Sequence, residues 1–216
     1  MSKALVLKTS ILGDNSVSND LIDQFMAQLA KGRDGLEFII RDLSQNPVPP
    51  LDQETLGALM TDSAQRDARQ QSLVDYADQL IAELLEADLL VIGAPMYNFT
   101  IPAGLKSWLD HVARAGVTFR YTENGPQGLL SNKQVVVVTS MGGNHLPGES
   151  DHLRPYLKTV LNFLGLEQVS FVAAAGLNLG DGPRQQALEQ AQQRLLEVAG
   201  QVSAALPESR REREAA

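Results

Sequence analysis

Three short segments of this 216-residue chain carry residue types that could hold one ligand between them. The first, Ser10 to Asn19, offers hydroxyls at Ser10, Ser16 and Ser18 just ahead of a helical pattern. Free N–H groups and the positive dipole end of a helix start bind phosphate. No Lys or Arg lies between Ser10 and Asp20, so hydroxyls and amides would have to supply the whole cradle. The second segment, Met96-Tyr97-Asn98-Phe99, places a soft side chain, two aromatics and an amide where a loop usually carries small polar residues. That composition suits the flat face of an aromatic ligand. The third runs from Ser140 through Met141, Gly142 and Gly143 to Asn144 and His145. Paired glycines let the backbone approach a ligand closely; their N–H groups and His145 could donate to the carbonyl edge of a heteroaromatic ring. Each segment alone has a plainer account: helix capping, aromatic packing of a loop, an exposed histidine. A molecule with a phosphate, a spacer and a flat polar ring satisfies all three together, and FMN is such a molecule. A P-loop ending and a G-x-G-x-x-G pattern are both missing from the chain.

The elements that must position these segments follow from periodicity. Apolar runs at 4–7, 36–40, 89–93, 134–140 and 168–174 read as strands, those at 89–93 and 134–140 being buried on both faces. Pro95 ends the third run because it has no N–H for a ladder. Helical spacing appears after Ser16 or Ser18 (either being a natural N-cap), with Leu21, Ile22, Phe25, Met26 and Leu29 on one face. It appears again at about 67–85 (Leu73, Tyr76, Ala77, Leu80, Ile81, Leu84), 103–113, 150–164 and 184–205. The proline-rich stretch 42–52 cannot be helix or central strand, and a short helix is expected at 56–60. Residues 116–130, with the turn signal Asn124-Gly125-Pro126, read as a hairpin-like arm. Five strands alternating with helices make an α/β doubly wound parallel sheet. Periodicity leaves two strand orders open, 2-1-3-4-5 and a Rossmann-type order; the loop chemistry favours the first, whose switch point lies between strands 1 and 3. A single domain over 1–205 and a charged, disordered tail over 206–216 are expected.

A net charge of −8 argues against nonspecific nucleic-acid binding. The absence of cysteine excludes disulfides, thiolate catalysis and Cys-ligated metal. Three scattered histidines, 111, 145 and 152, make a poor metal site. The N-terminal segment MSKALVLKTS has the wrong shape for a secretory signal, and no run approaches a membrane span, so a cytoplasmic protein without membrane partners is expected.

The segments KTSILGDNSVSN, APMYNF and VARAGVTFRYTENGPQGL, with the SxGGxH pattern at 140–145, resemble the FMN-dependent NADH-azoreductases. These are flavodoxin-like proteins related to the NAD(P)H:quinone oxidoreductases, and the resemblance covers about residues 1–200. It implies a flavodoxin-like fold and an FMN phosphate held by Ser10, Ser16, Val17 and Ser18. It further implies an isoalloxazine ring held by Met96, Tyr97, Asn98, Phe99, Ser140, Met141, Gly142 and Gly143, with His145 close by. Met141 departs from the Arg the pattern leads one to expect, which would shift substrate range or nucleotide preference. The implied activity is ping-pong, two-electron hydride transfer from NADH or NADPH through FMN to quinones and azo compounds, with no side-chain nucleophile. Homodimers with the active site at the interface are implied, with Phe119, Tyr121 and Phe163 as aromatic walls for the substrate; Phe163 fits an apolar helix face equally well. Trp108 reads as core or interface, Lys106 and Arg114 as solvated cations. A one-electron flavodoxin-type carrier is the alternative, and a metal-dependent hydrolase is a more remote one.

Overall fold

The computed structural model describes residues 2–146 and 148–207. Its centre is a five-stranded parallel sheet of β1 (Lys3–Lys8), β2 (Glu37–Asp42), β3 (Leu89–Gly93), β6 (Gln134–Met141) and β7 (Gln168–Ala175), ordered β2-β1-β3-β6-β7. Counting only these strands, the order is the 2-1-3-4-5 expected of the loops. Side chains alternate between faces with period two. Leu5, Leu7, Leu90, Ile92, Val135 and Val137 enter one core, while Ala4, Val6, Leu89, Val91, Val136 and Val138 enter the other. Both faces being covered explains why the central strands read as unbroken apolar runs.

Helices α1 (Val17–Gly32) and α6 (Asp181–Ala205) close one face. Helices α3 (Ala68–Glu86), α4 (Ala103–Val112) and α5 (Leu153–Phe163) close the other. The short helix α2 (Gln53–Met60) begins three residues before its expected start, because Asp52 caps it by accepting the Thr55 N–H at 2.8 Å. Helix α3 opens on a capping box between Asp67 and Gln70. Its buried face carries Val74 in place of Leu73, which is half-buried; a shift of one residue within the same stripe satisfies the helical spacing as well. Helix α6 starts three residues early because Pro183 falls in its first turn, where a missing N–H costs nothing. The ordered body also extends past 205. Leu206 is buried, and the Pro207 carbonyl accepts from Ser2 Oγ at 2.7 Å and from the Arg33 guanidinium. The rest of the expected tail, 208–216, lies outside the described residues.

The arm is a true hairpin, β4 (Phe119–Thr122) against β5 (Gly125–Gly128), packed over the end of α5. Thr122 pairs with Gly125, so Glu123-Asn124 form the tip, one residue earlier than the Asn-Gly-Pro signal suggests. At its base the buried Thr118 hydroxyl donates to the Val112 carbonyl at 2.6 Å and accepts the Arg114 N–H at 2.9 Å. Arg114 is mostly buried and paired with Asp78 rather than solvated, and Trp108 lies wholly in the core. The other strand is fixed by Leu130 N–H donating to the Leu164 carbonyl at 3.0 Å. Gly128 touches the α5 end backbone to backbone: a Cβ there would stand 2.0 Å from the Gly165 nitrogen.

No side-chain movement relieves a contact with backbone. Gly128→Ala should therefore destabilise the protein by about 1–3 kcal/mol in denaturant titration, with amide exchange accelerated first in residues 119–128. Unchanged exchange would mean that the arm adapts without leaving α5.

Candidate functional site

The carboxyl ends of β1, β3 and β6 lie side by side, and the three loops of interest leave from them. Thr9, the first residue after β1, donates its hydroxyl to the Gly93 carbonyl at 2.5 Å, fastening the first loop to the end of β3. The loop makes a tight 3-10 turn at Gly13–Asn15 and enters α1 with Ser16 as N-cap, its Oγ accepting the Asn19 N–H at 3.2 Å. Ser18 Oγ lies 3.2 Å from Ser16 Oγ, and both serines are buried. Capping satisfies Asn19 and leaves the Val17 and Ser18 N–H groups, at the positive end of the helix, without helical partners. The Asn19 side-chain oxygen, which faces Gly93, is buried with no partner among the described residues. The one cation at the head of this loop, Lys8, is engaged by Asp23 at 2.6 Å.

The second loop continues the sheet before it turns. Ala94 N–H donates to the Val138 carbonyl and Met96 N–H to the Ser140 carbonyl, both at 2.8 Å. Residues 97–100 then form a turn closed by two hydrogen bonds between Tyr97 and Thr100, with Asn98 at φ +48° and Phe99 at φ +71°. Two successive positive φ values are the pattern of a type I′ turn, which Asn tolerates and an aromatic residue resists. The Phe99 ring is 52% exposed and meets His145 edge-on, 5.5 Å between centroids. Tyr97 turns the other way. Its phenol oxygen accepts the Ile11 N–H at 3.1 Å and lies 3.1 Å from Ser10 Oγ. Ser10 is fully buried beside that phenol.

In the third loop the carbonyls of Met141, Gly142 and Gly143 accept from the N–H groups of Leu177, Asn178 and Gly176 at 2.9–3.0 Å. Their own N–H groups take no part in those bonds. A Cβ on Gly142 would stand 2.5 Å from the Asn178 amide nitrogen, and one on Gly143 would stand 2.7 Å from His145 Nε2. The glycines are thus needed for the close seating of Asn178 and His145. His145 Nδ1 lies 2.9 Å from Ser150 Oγ, which fixes the ring's direction. The Met141 side chain is buried at 1% exposure, so only its backbone reaches the loop surface.

Of the expected site residues, the structure brings together Ser10, Ser16, Val17 and Ser18 on one loop, Met96 to Phe99 on the next, and Ser140 to Gly143 with His145 on the third. Phe119, Tyr121 and Phe163 gather with one another: Phe119 lies 4.4 Å from Phe163 and 5.5 Å from Tyr121, centroid to centroid. Phe119 is 7% exposed and belongs to the core, Phe163 packs against the same core, and only Tyr121, 75% exposed, presents a free ring. Of the three expected pocket walls, Tyr121 is thus the most open, Phe163 is half-buried and Phe119 is committed to the core. A cavity of about 610 Å³ opens beside Tyr97, lined by Ile11, Leu43, Asn98, Ile101, Lys106 and Tyr156 among others. Burial raises the Tyr156 phenol above its ordinary pKa, opposed by the Lys106 ammonium. Thr9, Asn178 and Ser150 are missing from the expectation. Thr9 reads in sequence as a strand end, and the partners of Asn178 and Ser150 follow only from the fold.

The donor set fits FMN: a recessed helix start whose first N–H groups have no helical partner, a loop with an exposed aromatic ring, and a glycine loop whose Gly142 and Gly143 N–H groups have no backbone partner among the described residues. Among the described residues no group of three or more His, Asp or Glu could hold a metal. The family described by the flavodoxin-like fold matches residues 2–199. The chain belongs to that flavodoxin-like family. FMN-dependent NADH:quinone oxidoreductase 2 of Pseudomonas fluorescens is 46% identical over 199 residues, covering 92% of this chain and 100% of the relative. FMN-dependent NADH:quinone oxidoreductase of Shewanella denitrificans is 52% identical over 191 residues, covering 88% and 95%. Among solved structures, an FMN-dependent NADH-azoreductase from Bacillus anthracis in complex with FMN is 26% identical, with a TM-score of 0.86 over 94% of this chain and 100% of that one. Within the flavodoxin-like frame, the loops after β1, β3 and β6 meet at the switch point between β1 and β3, where ligands of such sheets sit.

An aromatic residue at φ +71° costs about 1–2 kcal/mol of backbone strain. Phe99→Gly removes a ring but also that strain, so its unfolding free energy should equal or exceed that of the parent. A loss above about 1 kcal/mol would show that the ring packs the loop, as an ordinary buried aromatic does.

Proposed function

We propose that this protein is an FMN-dependent NADH:quinone oxidoreductase that also reduces aromatic azo compounds. The observation that carries the reading is the Met96–Ser140 hydrogen bond, which makes one continuous surface of the exposed-ring loop and the glycine loop beside the α1 N-terminus. The names of relatives covering nearly the whole chain support it. Bound FMN supplies the hydride chemistry, by which NADH, a proton and a quinone become NAD⁺ and a quinol.

The side chains and amides have separable tasks. The first turn of α1, with Ser16, Val17 and Ser18, binds the phosphate. The backbone of Met96 to Phe99 sets the depth of the ring, and the positive φ at Asn98 and Phe99 keeps the loop from collapsing onto it. The Gly142 and Gly143 N–H groups, with His145, hold negative charge at the polar ring edge, a preorganised donor set of the kind that stabilises charge as it develops. No side-chain nucleophile is required.

The pocket is completed by a second copy of the chain, so that the active site lies at a homodimer interface. The exposed Tyr121 on its rigid hairpin, backed by Phe119 and Phe163, supports that role: it is a large ring held away from its own core. A cytoplasmic enzyme with one FMN-binding domain over residues 1–205 is the matching reading. Among the described residues no helix is long and apolar enough to cross a membrane.

Purified protein should show an oxidised-flavin absorption spectrum that bleaches on anaerobic addition of NADH and returns on addition of benzoquinone. A preparation that stays colourless and inert after FMN reconstitution would overturn the assignment. Bleaching without steady-state turnover would instead indicate a one-electron carrier of the flavodoxin type. Asn98 also lines the cavity beside Tyr97, where its side-chain amide orients the substrate; Asn98→Gly keeps the turn geometry while deleting that amide. It should lower kcat about tenfold or more with the melting temperature unchanged; equal losses of turnover and stability would make Asn98 a structural residue.

A further inference from the structure

Tyr97 is the residue whose geometry the site reading leaves unused. It stands in the loop assigned to the flavin ring, yet its hydroxyl points at the phosphate loop. The phenol oxygen accepts the Ile11 N–H at 3.1 Å and shares a hydrogen bond with Ser10 Oγ, also at 3.1 Å, in which either hydroxyl can donate. Ser10 Oγ also accepts the Leu12 N–H at 3.3 Å. Ser10 and Ile11 are therefore tied directly to one phenol and Leu12 through Ser10, which is fully buried within the bracket. Downstream, Leu12 accepts the Asn15 N–H at 3.0 Å and Gly13 the Ser16 N–H at 3.2 Å. The bracket thus sets the path of the turn that delivers Ser16 to its capping position.

From this we infer that Tyr97 is a positioning residue for phosphate recognition: bonded to Ser10 and Ile11, it holds the first loop in its anion-binding shape and so selects the phosphorylated flavin over riboflavin. The inference rests on the FMN reading above and assigns Tyr97 and Ser10 a joint task, the phenol setting the position of Ser10 and of the amides that follow it. A loop free to unfold from this shape must be ordered by the phosphate itself, and binding weakens by that cost. Riboflavin makes no demand on the loop, so its affinity is indifferent to the bracket.

The test is titration of the full-length protein, freed of flavin, with FMN and with riboflavin, followed by quenching of flavin fluorescence. The proteins are the parent, Tyr97→Phe, Ser10→Ala and the double variant. Either single substitution should raise the Kd for FMN about tenfold and leave the Kd for riboflavin within about twofold. The double variant should bind FMN no worse than either single one, since both break the same bracket. Equal losses for FMN and riboflavin would overturn the inference and make Tyr97 a ring contact. Additive losses would overturn it in favour of two independent contacts, and so would an effect of Ser10→Ala without one of Tyr97→Phe. Should Tyr97→Phe fold poorly, Ser10→Ala cuts the same bracket from the other end and gives the same flavin comparison. A parent protein that binds neither flavin would remove the FMN reading itself, whereas a parent that prefers FMN beside indifferent variants removes only this inference.

Discussion

Two backbone hydrogen bonds, Ala94 to Val138 and Met96 to Ser140, extend the β3–β6 pairing beyond the last residue of β3. Pro95 between them has no N–H to give, yet the ladder survives because in a parallel pair alternate residues of one strand bond to the neighbour. The aromatic loop therefore starts in register with the glycine loop. Thr9 provides the equivalent tie on the other side, from the end of β1 to Gly93. Three loops that would otherwise be independent surface segments are held to one another at their bases.

With the bases fixed, the remaining freedom is used in opposite ways. The glycine loop spends its carbonyls on residues 176–178 and turns its amides elsewhere. Residues 97–100 close on themselves with two positive φ values, a conformation the surrounding bonds must enforce. The first loop is held by the Tyr97 phenol and by its own helix cap. The site is thus built from backbone geometry and short side-chain ties, which suits a reaction whose chemistry resides in a bound cofactor. The hairpin follows the same logic at a distance: Thr118, Leu130 and Gly128 lock it to α4 and α5, so that Tyr121 is presented on a rigid support.

Much of this was legible in the residues. Unbroken runs such as Leu89 to Gly93 announce strands buried on both faces, and the strands lie within two residues of where periodicity puts them. The misplacements have local causes. Asp52 started a helix early by capping it, Pro183 was tolerated in a first turn, and the hairpin tip moved one residue because Thr122 could pair with Gly125. For the site, residue type marked three loops that the fold brings side by side, but not each side chain's task. Phe119 and Tyr121 look alike in sequence and, two residues apart on one strand, share a face; Phe119 stands at the base of the hairpin, where the core reaches it, and Tyr121 stands next to the tip, beyond that core. Tyr97 and Phe99 part for another reason, a turn that reverses the chain between them.

The sequence by itself determined the doubly wound sheet, the three chemistry-bearing loops and the absence of thiol chemistry, because these depend on periodicity and composition, which are local. The tertiary structure decided which ring is exposed, which serine is buried, and which carbonyls of the glycine loop are engaged. Those outcomes turn on contacts between residues far apart in the chain: Tyr97 with Ser10, Gly128 with Gly165, Asn178 with Gly142. A side chain's role at such a point is set by what the fold brings against it, and no spacing along one segment encodes the partner.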